Sequence, residues 1–472
     1  MLFNSFSFAV FLPIVVIIFY ALPHRFRWLW LLLSSCFFYM AYIPWFILVI
    51  GTTIVIDYFA GILISRTQGI KRKYWLLASL VTNIGILFFF KYFNFFFDNI
   101  APLLGEMGIR LSQPNWHILL PVGLSFHTFQ AMSYTIEVYR GAQNPEKHFG
   151  IYALYVMFFP QMVAGPIERP QNMLHQFHEY KLFDSLKFVS GLRLMLWGFF
   201  KKMVIADRAA IVSDQIFNNP QQYGTLGIAY GIIMFAFRIY GDFSGYTDIA
   251  RGAARMLGFD LMLNFRQPYL AESVSDFWRR WHISLSTWFR DYLYIPLGGN
   301  RGTIMMVVFN LLITFIISGL WHGADWKFVV WGGLNGVFIA VEYIWRINKI
   351  ASVHILLPTF LKRLKTFFLI GITWIFFAAP SMKQAILALQ NLFHFNLYKT
   401  DWANVVLNKD AKVASLFILL LICIEIFIEK GKLQTIFSRQ PVYVRWAIYA
   451  VLAWTIILFG QFGERQFIYF VF

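Results

Sequence analysis

Long apolar runs separated by short basic segments make up most of the chain. Their lengths are typical of membrane-spanning helices, which need about 20 consecutive apolar residues. The runs lie near residues 3–22, 28–43, 45–65, 74–97, 118–139, 150–165, 186–205, 223–241, 304–321, 326–346, 366–380, 412–429 and 443–461. Pro44 separates the second run from the third and predicts a hairpin there. The pattern predicts an all-α polytopic membrane protein.

Composition supports this prediction and narrows the range of partners. Of the 472 residues, 59% are hydrophobic, 20% are aromatic and only 13% are charged, whereas a soluble domain has about 25% charged residues. At about 20 residues per span, the apolar content allows roughly 10 to 13 helices. The net charge of +17 comes from basic residues between the runs, as is typical of cytoplasmic loops. We therefore expect acidic lipid headgroups and acidic cytoplasmic substrates as partners, and no nucleic acid.

We interpret the chain as one membrane domain, because no fixed-period repeat and no low-complexity linker divides it. Its expected parts are N-terminal spans over 1–240, a polar interfacial or re-entrant block over 241–303, and C-terminal spans over 304–472. Glycine and prolines also interrupt the stretch 160–170. This stretch is either a broken, re-entrant segment or an ordinary helix end. Irregular backbone at membrane depth requires surrounding protein or a wet cavity.

The polar block contains the unusual segment SVSDFWRRWHISLSTWFRDYLYIPLGG. Its periodicity predicts one amphipathic helix. Ser273 and Asp276 have the spacing of a capping pair at its start. Pro296 and the glycines after it end the predicted helix.

The side chains of this predicted helix form an apolar and a cationic face. His282 shares the apolar face with tryptophans, while Arg279, Arg280 and Arg290 lie on the polar side. In one interpretation, the helix lies at the membrane interface with its arginines toward headgroups. In the other, the arginines bind phosphates of a cytoplasmic donor, because guanidinium pairs bidentately with phosphate. His282 is either a hydrogen-bonded core residue or part of an interior site.

Several ionisable residues are placed where burial is costly. His322 ends the apolar run LLITFIISGLW, and an ionisable residue at membrane depth is a functional candidate, although a packing histidine is the alternative. Asp325 could orient its ring if the helix continued through Gly323. Upstream, Asp242 and Asp248 are close in sequence and could do acid/base work or form ordinary ion pairs. No metal site is expected.

Together these motifs resemble the membrane-bound O-acyltransferase family. PQMVAGPIERP, YGDFSGYTDIARG, FWRRWHISLSTWFRDYLYIPLGG and SGLWHGADWKFVVWGGLNG occur in the order and spacing of that family. The ends MLFNSFSFAVFLPIVVIIFY and ERQFIYFVF resemble its bacterial alginate O-acetyltransferase branch. The resemblance covers essentially the whole chain. It implies a funnel-and-tunnel helical fold of about eleven spans with re-entrant or interfacial helices.

The resemblance also implies a reaction and its participants. His322 matches the family's presumed catalytic histidine in the tunnel, and His282 matches a second polar position. The expected donor is cytoplasmic acetyl-CoA, used as a substrate with no bound cofactor. The acetyl group would cross the bacterial inner membrane to an exopolysaccharide, or to a partner acetyltransferase in the periplasm.

Our mechanistic hypothesis gives His322 the role of general base, because burial favours a neutral imidazole that accepts a proton. His282 would orient groups or stabilise developing charge. The remaining candidates are Trp321 and Asp242 as tunnel lining, and Arg279, Arg280 and Arg290 as contacts to donor phosphates.

Two alternatives stay open at this point. The first is transfer of D-alanine from an acyl carrier protein to teichoic acid by a related member of the same family, since an acidic carrier would also suit the cationic face. The second is a secondary transporter with an intramembrane histidine relay. Transporters are usually built from repeats with matched interruptions, and the polar block has no counterpart in the first half of the chain.

Overall fold

The computed structural model describes residues 1–109, 119–348, 357–394, 402–463 and 465–468. Within these ranges the regular structure is helical and no strand occurs. The helices are α1 (Phe6–Ala21), α2 (His24–Met40), α3 (Phe46–Arg66), α4 (Ile70–Leu87), α5 (Phe93–Glu106), α6 (Leu124–Arg140), α7 (Phe149–Met157), α8 (Pro170–His178), α9 (Ser185–Phe199), α10 (Asp207–Asn218), α11 (Thr225–Met256), α12 (Val274–Arg280), α13 (Ile283–Phe289), α14 (Ile304–His322), α15 (Trp326–Ile347), α16 (Thr359–Ala378), α17 (Met382–Phe393), α18 (Trp402–Leu407), α19 (Lys409–Glu429), α20 (Lys432–Ser438) and α21 (Val442–Phe459). Turns of π-helix lie at Phe88–Tyr92, Phe200–Ala206 and Arg290–Tyr294, and 3-10 turns at Pro220–Gln222 and Pro268–Leu270.

Seven helical stretches in the described part of the chain are long and apolar enough to cross a membrane. They are Phe46–Arg66, Ile70–Glu106, Thr225–Met256, Ile304–His322, Trp326–Ile347, Lys409–Glu429 and Val442–Phe459. The last of these exposes large apolar side chains such as Trp446 and Val451, as a lipid-facing helix does. The predicted all-α polytopic fold is confirmed.

The chain forms two compact units. The first contains Met1–Leu194 and Ile249–Met262, and the second contains Met195–Asp248 and Leu263–Phe472. Helices α9 and α11 contribute residues to both units. The division of one membrane domain at residues 240 and 303 stays a prediction.

In the first unit, the interrupted stretch after α7 is irregular and enclosed by protein. Residues 158–168 are not helical and all of them are buried. Two of their polar groups have partners inside the unit: the Phe159 amide donates to Ser35 Oγ at 3.0 Å, and the Met262 amide donates to Glu168 Oε1 at 2.6 Å. The broken segment is therefore buried in protein, which is the condition under which such backbone survives at membrane depth.

In the second unit, α14 and α15 pack against each other through glycines. A Cβ on Gly319 would lie 2.2 Å from the carbonyl oxygen of Phe328, and a Cβ on Gly332 would lie 2.2 Å from that of Phe315. Side chains do not fit at these separations, so only glycine permits this approach of the two backbones. The close pairing positions the end of α14, where His322 lies.

Candidate active site

The Trp- and Arg-rich segment of the polar block is broken at His282. Helix α12 ends at Arg280, and α13 begins at Ile283. His282 has φ 43° and ψ 56°, in the left-handed region. Such a backbone costs a residue with a side chain about 1–2 kcal/mol, and strain of this kind concentrates at functional sites. The prediction of one continuous helix is wrong, although the predicted cap is confirmed, because the Asp276 amide donates to Ser273 Oγ at 3.0 Å.

Hydrogen bonds from other parts of the second unit stabilise this break. The Ile283 amide donates to the Asn264 carbonyl at 2.9 Å, and the Ser284 amide donates to Asn264 Oδ1 at 3.2 Å. Ser286 Oγ donates to the Trp281 carbonyl at 3.0 Å. In a continuous helix these backbone groups would have been paired within the helix. Because they form other hydrogen bonds here, the chain leaves helical geometry without burying unpaired backbone groups.

His282 is buried, and its ring packs against an aromatic neighbour. The ring centroids of His282 and Phe243 are 4.5 Å apart, edge to face. Burial first, and then the charge of a protonated His322, lower the pKa of His282 well below the ordinary histidine value. This shift favours the neutral form of the His282 imidazole, and the two histidines interact electrostatically within the same unit.

His322 is the last residue of α14 and is 4% exposed. Aromatic rings surround its imidazole edge to face. Their centroids lie 5.0 Å away for Trp321, 4.9 Å for Trp331 and 5.4 Å for Phe377. Such walls limit water, and aromatic faces attract a cation if the ring takes up a proton.

Asp325 lies beyond the end of α14, at the start of the next helix. Helix α14 ends at His322, and Gly323 is extended with φ −166° and ψ 150°. Asp325 caps the next helix, because its Oδ1 accepts from the Lys327 amide at 3.0 Å. The helix does not continue through Gly323, so the condition under which Asp325 could orient the His322 ring is not met. The Phe328 ring packs closely on this glycine, where a Cβ would lie 2.1 Å from it.

A cavity of about 350 Å³ lies in the same unit. Its lining combines the cationic face of the broken helix with one face of α14, and includes Trp278, Arg279, Ser286, Arg290, Phe315 and Ser318. Ser318 precedes His322 by one helical turn, so both lie on the same face of α14. Cavities of small-molecule sites measure about 300–1,000 Å³, and this one has the apolar walls and few polar groups typical of them.

The predicted arginines divide into two groups. Arg279 and Arg290 line the cavity and are exposed, and Arg290 Nε also contacts Asp291 at 2.7 Å. Arg280 instead pairs with Asp276 at 3.0 Å and with Glu429 at 2.8 Å. Arg280 therefore joins α12 to α19 and is not among the cavity's lining residues.

The two predicted tunnel-lining residues also lie outside this cavity. Asp242 Oδ1 is 2.5 Å from Lys202 Nζ, and its Oδ2 accepts from the Ile468 amide at 2.7 Å. Asp248 is 2.7 Å from Lys201 Nζ. These carboxylates form ion pairs, and the Trp321 ring packs on His322. A tunnel-lining role for Asp242 and Trp321 stays a prediction.

Sequence reasoning missed several residues that build the site. Asn264 is a single amide in an otherwise ordinary stretch, and Phe243 and Phe377 are two of many phenylalanines. Trp331 had a usable signal, because it stands in VVWGG beside Gly332. In the described residues, no three His, Cys, Asp or Glu side chains group as metal ligands would.

Comparison with known proteins places this chain in a family. The membrane-bound O-acyltransferase family model matches residues 147–348, which contain both histidines and the cavity. A probable alginate O-acetylase AlgI from Azotobacter vinelandii is 38% identical over 446 residues, covering 93% of this chain and 85% of that protein. The chain belongs to the membrane-bound O-acyltransferase family.

Two other relatives differ in the acyl group that their names state. A peptidoglycan O-acetyltransferase from Helicobacter pylori is 35% identical over 408 residues, covering 80% of this chain and 76% of that protein. A teichoic acid D-alanyltransferase from Streptococcus thermophilus is 28% identical over 250 residues, covering 48% of this chain and 58% of that protein.

Membership of the membrane-bound O-acyltransferase family decides between two of the predicted classes. The chain is a multi-pass membrane O-acyltransferase, and not a secondary transporter. His282, His322 and the cavity all lie in the residues that the family model matches and within one unit.

Proposed function

We propose that this acyltransferase moves an acetyl group from cytoplasmic acetyl-CoA to a hydroxyl outside the bacterial cytoplasmic (inner) membrane. The acceptor is an alginate-like polysaccharide or a hydroxyl of a periplasmic partner acetyltransferase. The observation that carries the proposal is His322, walled by aromatic rings at the end of α14, one turn from a cavity that Arg279 and Arg290 line.

The cavity supports a phosphate-bearing donor. Arg279 and Arg290 are exposed at its wall and provide planar guanidinium groups for phosphates. The apolar lining residues Trp278 and Phe315 suit the uncharged arm that carries the thioester. Donor phosphates would therefore bind at the arginines, and the acyl group would point along α14 toward His322.

In the proposed reaction, His322 accepts the proton of the acceptor hydroxyl as its oxygen attacks the thioester carbonyl. The carbon–oxygen bond forms, the carbon–sulfur bond breaks, and the leaving thiolate takes up the proton. A positioned base of this kind supplies about 10²–10⁴-fold in rate. His282, whose neutral imidazole burial favours, would donate an N–H to the carbonyl oxygen as negative charge develops there.

The aromatic walls contribute by excluding water. Trp321, Trp331 and Phe377 pack around the His322 ring. Water at the thioester would hydrolyse it and waste the donor, so a dry site favours transfer to the intended hydroxyl. These rings also restrict the acceptor to a hydroxyl that can reach the imidazole.

The choice of acetyl over D-alanyl is supported by the extent of the similarity. The relatives named for acetyl transfer are 35–38% identical and match 80–93% of the chain, whereas the D-alanyltransferase is 28% identical and matches 48%. Transfer of D-alanine from an acidic carrier protein is the competing function, because Arg279 and Arg290 would also attract such a carrier.

To test the acetyl assignment, purified protein in liposomes is given either labelled acetyl-CoA or a labelled D-alanyl carrier protein. Each donor is tested with soluble polysaccharide acceptor and with periplasmic extract. We expect label to move from acetyl-CoA alone, and label from the D-alanyl carrier alone would overturn the acetyl assignment. Label that reaches polysaccharide only with the extract would identify the partner route. Mass spectrometry of surface glycans from cells with wild-type or His322→Ala protein then identifies the acceptor.

A further inference from the structure

The first unit buries a carboxyl group, Asp57, among three helices. Asp57 lies on α3, within a stretch able to cross a membrane, and is 0% exposed. Among the residues that the structure describes, no Lys, Arg or His side chain forms an ion pair with it. An ionised carboxylate in such a place is expensive unless a cation or a proton neutralises it.

Polar groups from α4 and α6 surround this carboxyl. Ser79 Oγ lies 2.6 Å from Asp57 Oδ1, and Asn83 Nδ2 donates to Asp57 Oδ2 at 2.9 Å. Ser79 Oγ is also 2.9 Å from Thr135 Oγ1, which in turn lies 3.2 Å from the Met132 carbonyl oxygen. Four oxygens thus form a row from Asp57 to the backbone of α6, and Asn83 Nδ2 also donates to the first of them, Asp57 Oδ1, at 2.9 Å.

Counting hydrogens along this row favours one protonation state of Asp57. A serine or threonine hydroxyl has one hydrogen to donate, and a backbone carbonyl has none. If Asp57 were ionised, Ser79 would have to donate to it, and Thr135 could then serve either Ser79 or Met132 but not both. Either the 2.9 Å contact between Ser79 and Thr135 or the 3.2 Å contact between Thr135 and the Met132 carbonyl would then contain no hydrogen.

We propose that Asp57 is a proton-binding site and carries a proton on Oδ1. The row then has one direction: Asp57 donates to Ser79, Ser79 to Thr135, and Thr135 to the Met132 carbonyl. Each oxygen–oxygen contact contains one hydrogen, and no buried charge remains. Removing the proton would reverse the donor direction at Ser79 and leave a charge between α3, α4 and α6. The inference concerns the first unit only and does not depend on the proposed acetyl transfer.

A metal cation fits this cluster less well than a proton. A hard cation such as Ca²⁺ takes about six to eight oxygen ligands, whereas the described groups around this carboxyl provide hydroxyl and amide hydrogen-bond donors. The oxygen–oxygen separations here are 2.6 and 2.9 Å, which are direct hydrogen bonds. Among the described residues, the phenols of Tyr134 on α6 and Tyr152 on α7 lie within electrostatic range of Asp57. His127, also on α6, has its own partner, because its Nε2 lies 2.5 Å from Thr53 Oγ1.

Infrared difference spectroscopy tests the proposal directly. Wild-type protein is compared at neutral pH with Asp57→Asn and with Asp214→Asn, whose carboxylate pairs with Arg238. We expect Asp57→Asn to remove a carboxylic-acid band that shifts in D₂O, and Asp214→Asn to remove a carboxylate band. Loss of a carboxylate band with Asp57→Asn would overturn the proposal.

Thermal unfolding in detergent gives a second, independent test. An asparagine at 57 donates to Ser79 and accepts from Asn83, as a protonated aspartate does. We therefore expect Asp57→Asn to keep the wild-type midpoint and Asp57→Ala to lower it. An equal drop in both variants would mean that the native group is a carboxylate.

If Asp57→Asn yields no folded protein, Ser79→Ala replaces it in the infrared comparison. The carboxylic-acid band should then persist at a shifted frequency, and its absence would contradict the proposal.

Discussion

The second unit buries two histidines among aromatic rings, whereas the first unit buries Asp57 and His127 among hydroxyl and amide groups. His322 is surrounded by Trp321, Trp331 and Phe377 beside a cavity of about 350 Å³. Asp57 and His127 instead make short contacts to Ser79 and Thr53. All of these groups are costly to bury, but their neighbours offset that cost in different ways.

We propose that this difference separates the buried polar groups that hold structure from those that take part in the reaction. A hydrogen-bonded row such as that of Asp57 assigns each group a fixed neighbour and links helices. Aromatic rings around an imidazole exclude water and do not fix the imidazole to one polar neighbour, so on our proposal a reactant from the adjacent cavity can reach it. Burial alone therefore does not identify a catalytic residue, and our proposal for His322 rests on the chemistry of its neighbours as well.

The largest effect is expected from widening the helix pair that presents His322. Gly332→Val would place side-chain atoms against the Phe315 carbonyl, 2.2 Å from the new Cβ, so α14 and α15 could not pack. We expect loss of acyl transfer and of folded protein, measured by transfer assay and by size-exclusion chromatography. Gly333→Val is the matched control, because a Cβ there meets nothing within 4 Å. If the two variants behaved alike, the close approach of the helices would not support the site.

The second-largest effect is expected from a substitution that removes the His282 ring but keeps its left-handed backbone conformation. His282→Gly accepts φ 43° without the cost of a Cβ, but it also removes a buried ring that packs on Phe243, so the thermal midpoint should fall and transfer is compared per folded molecule. Transfer should fall by about 10²-fold if the ring stabilises developing charge. Gln267→Gly is the control, since Gln267 has φ 41° and carries no proposed role. Wild-type transfer by His282→Gly would show that the strain serves the fold alone.

A smaller effect on transfer is expected when an arginine that lines the cavity is replaced, and an arginine outside the cavity serves as the comparison. Arg279→Gln removes a guanidinium from the cavity wall, and the KM for the donor should rise by about tenfold or more, as for loss of one charged hydrogen bond. Arg280→Gln breaks the pairs to Asp276 and Glu429, which should lower the thermal midpoint and leave KM unchanged. Donor titrations measure the KM and melting curves measure the thermal midpoint of both variants. A higher KM for Arg280→Gln alone would show that Arg280, and not Arg279, binds the donor.

The smallest effect on transfer is expected in the hydrogen-bonded region. His127→Gln disturbs the contact to Thr53 on α3 and should lower the thermal midpoint. Transfer per folded molecule should stay at the wild-type level, because this region has no proposed part in the reaction. A variant that folds fully but transfers slowly would break the contrast between the two regions.

The sequence pattern predicted the features that depend on local apolar spacing. The run near 45–65 became α3 (Phe46–Arg66), and the run near 304–321 became α14 (Ile304–His322). The Ser273 cap was also predictable, because it depends on residues three apart. The motifs around His282 and His322 identified the family.

The pattern could not predict features that depend on partners distant in sequence. The helix break at His282 exists because Asn264 accepts from the Ile283 and Ser284 amides. A periodicity argument sees only the unbroken amphipathic spacing across that break. The split between Arg280 and the cavity arginines likewise depends on Glu429, which lies 149 positions away.

The central claim is that His322 is the base for acyl transfer. Single-turnover transfer from labelled acetyl-CoA by purified His322→Gln protein in liposomes tests it most directly, with donor binding and thermal midpoint measured on the same preparation. We predict a fall of about 10²–10⁴-fold in the transfer rate, with donor binding and midpoint unchanged. A His322→Gln protein that transfers at the wild-type rate would contradict the account.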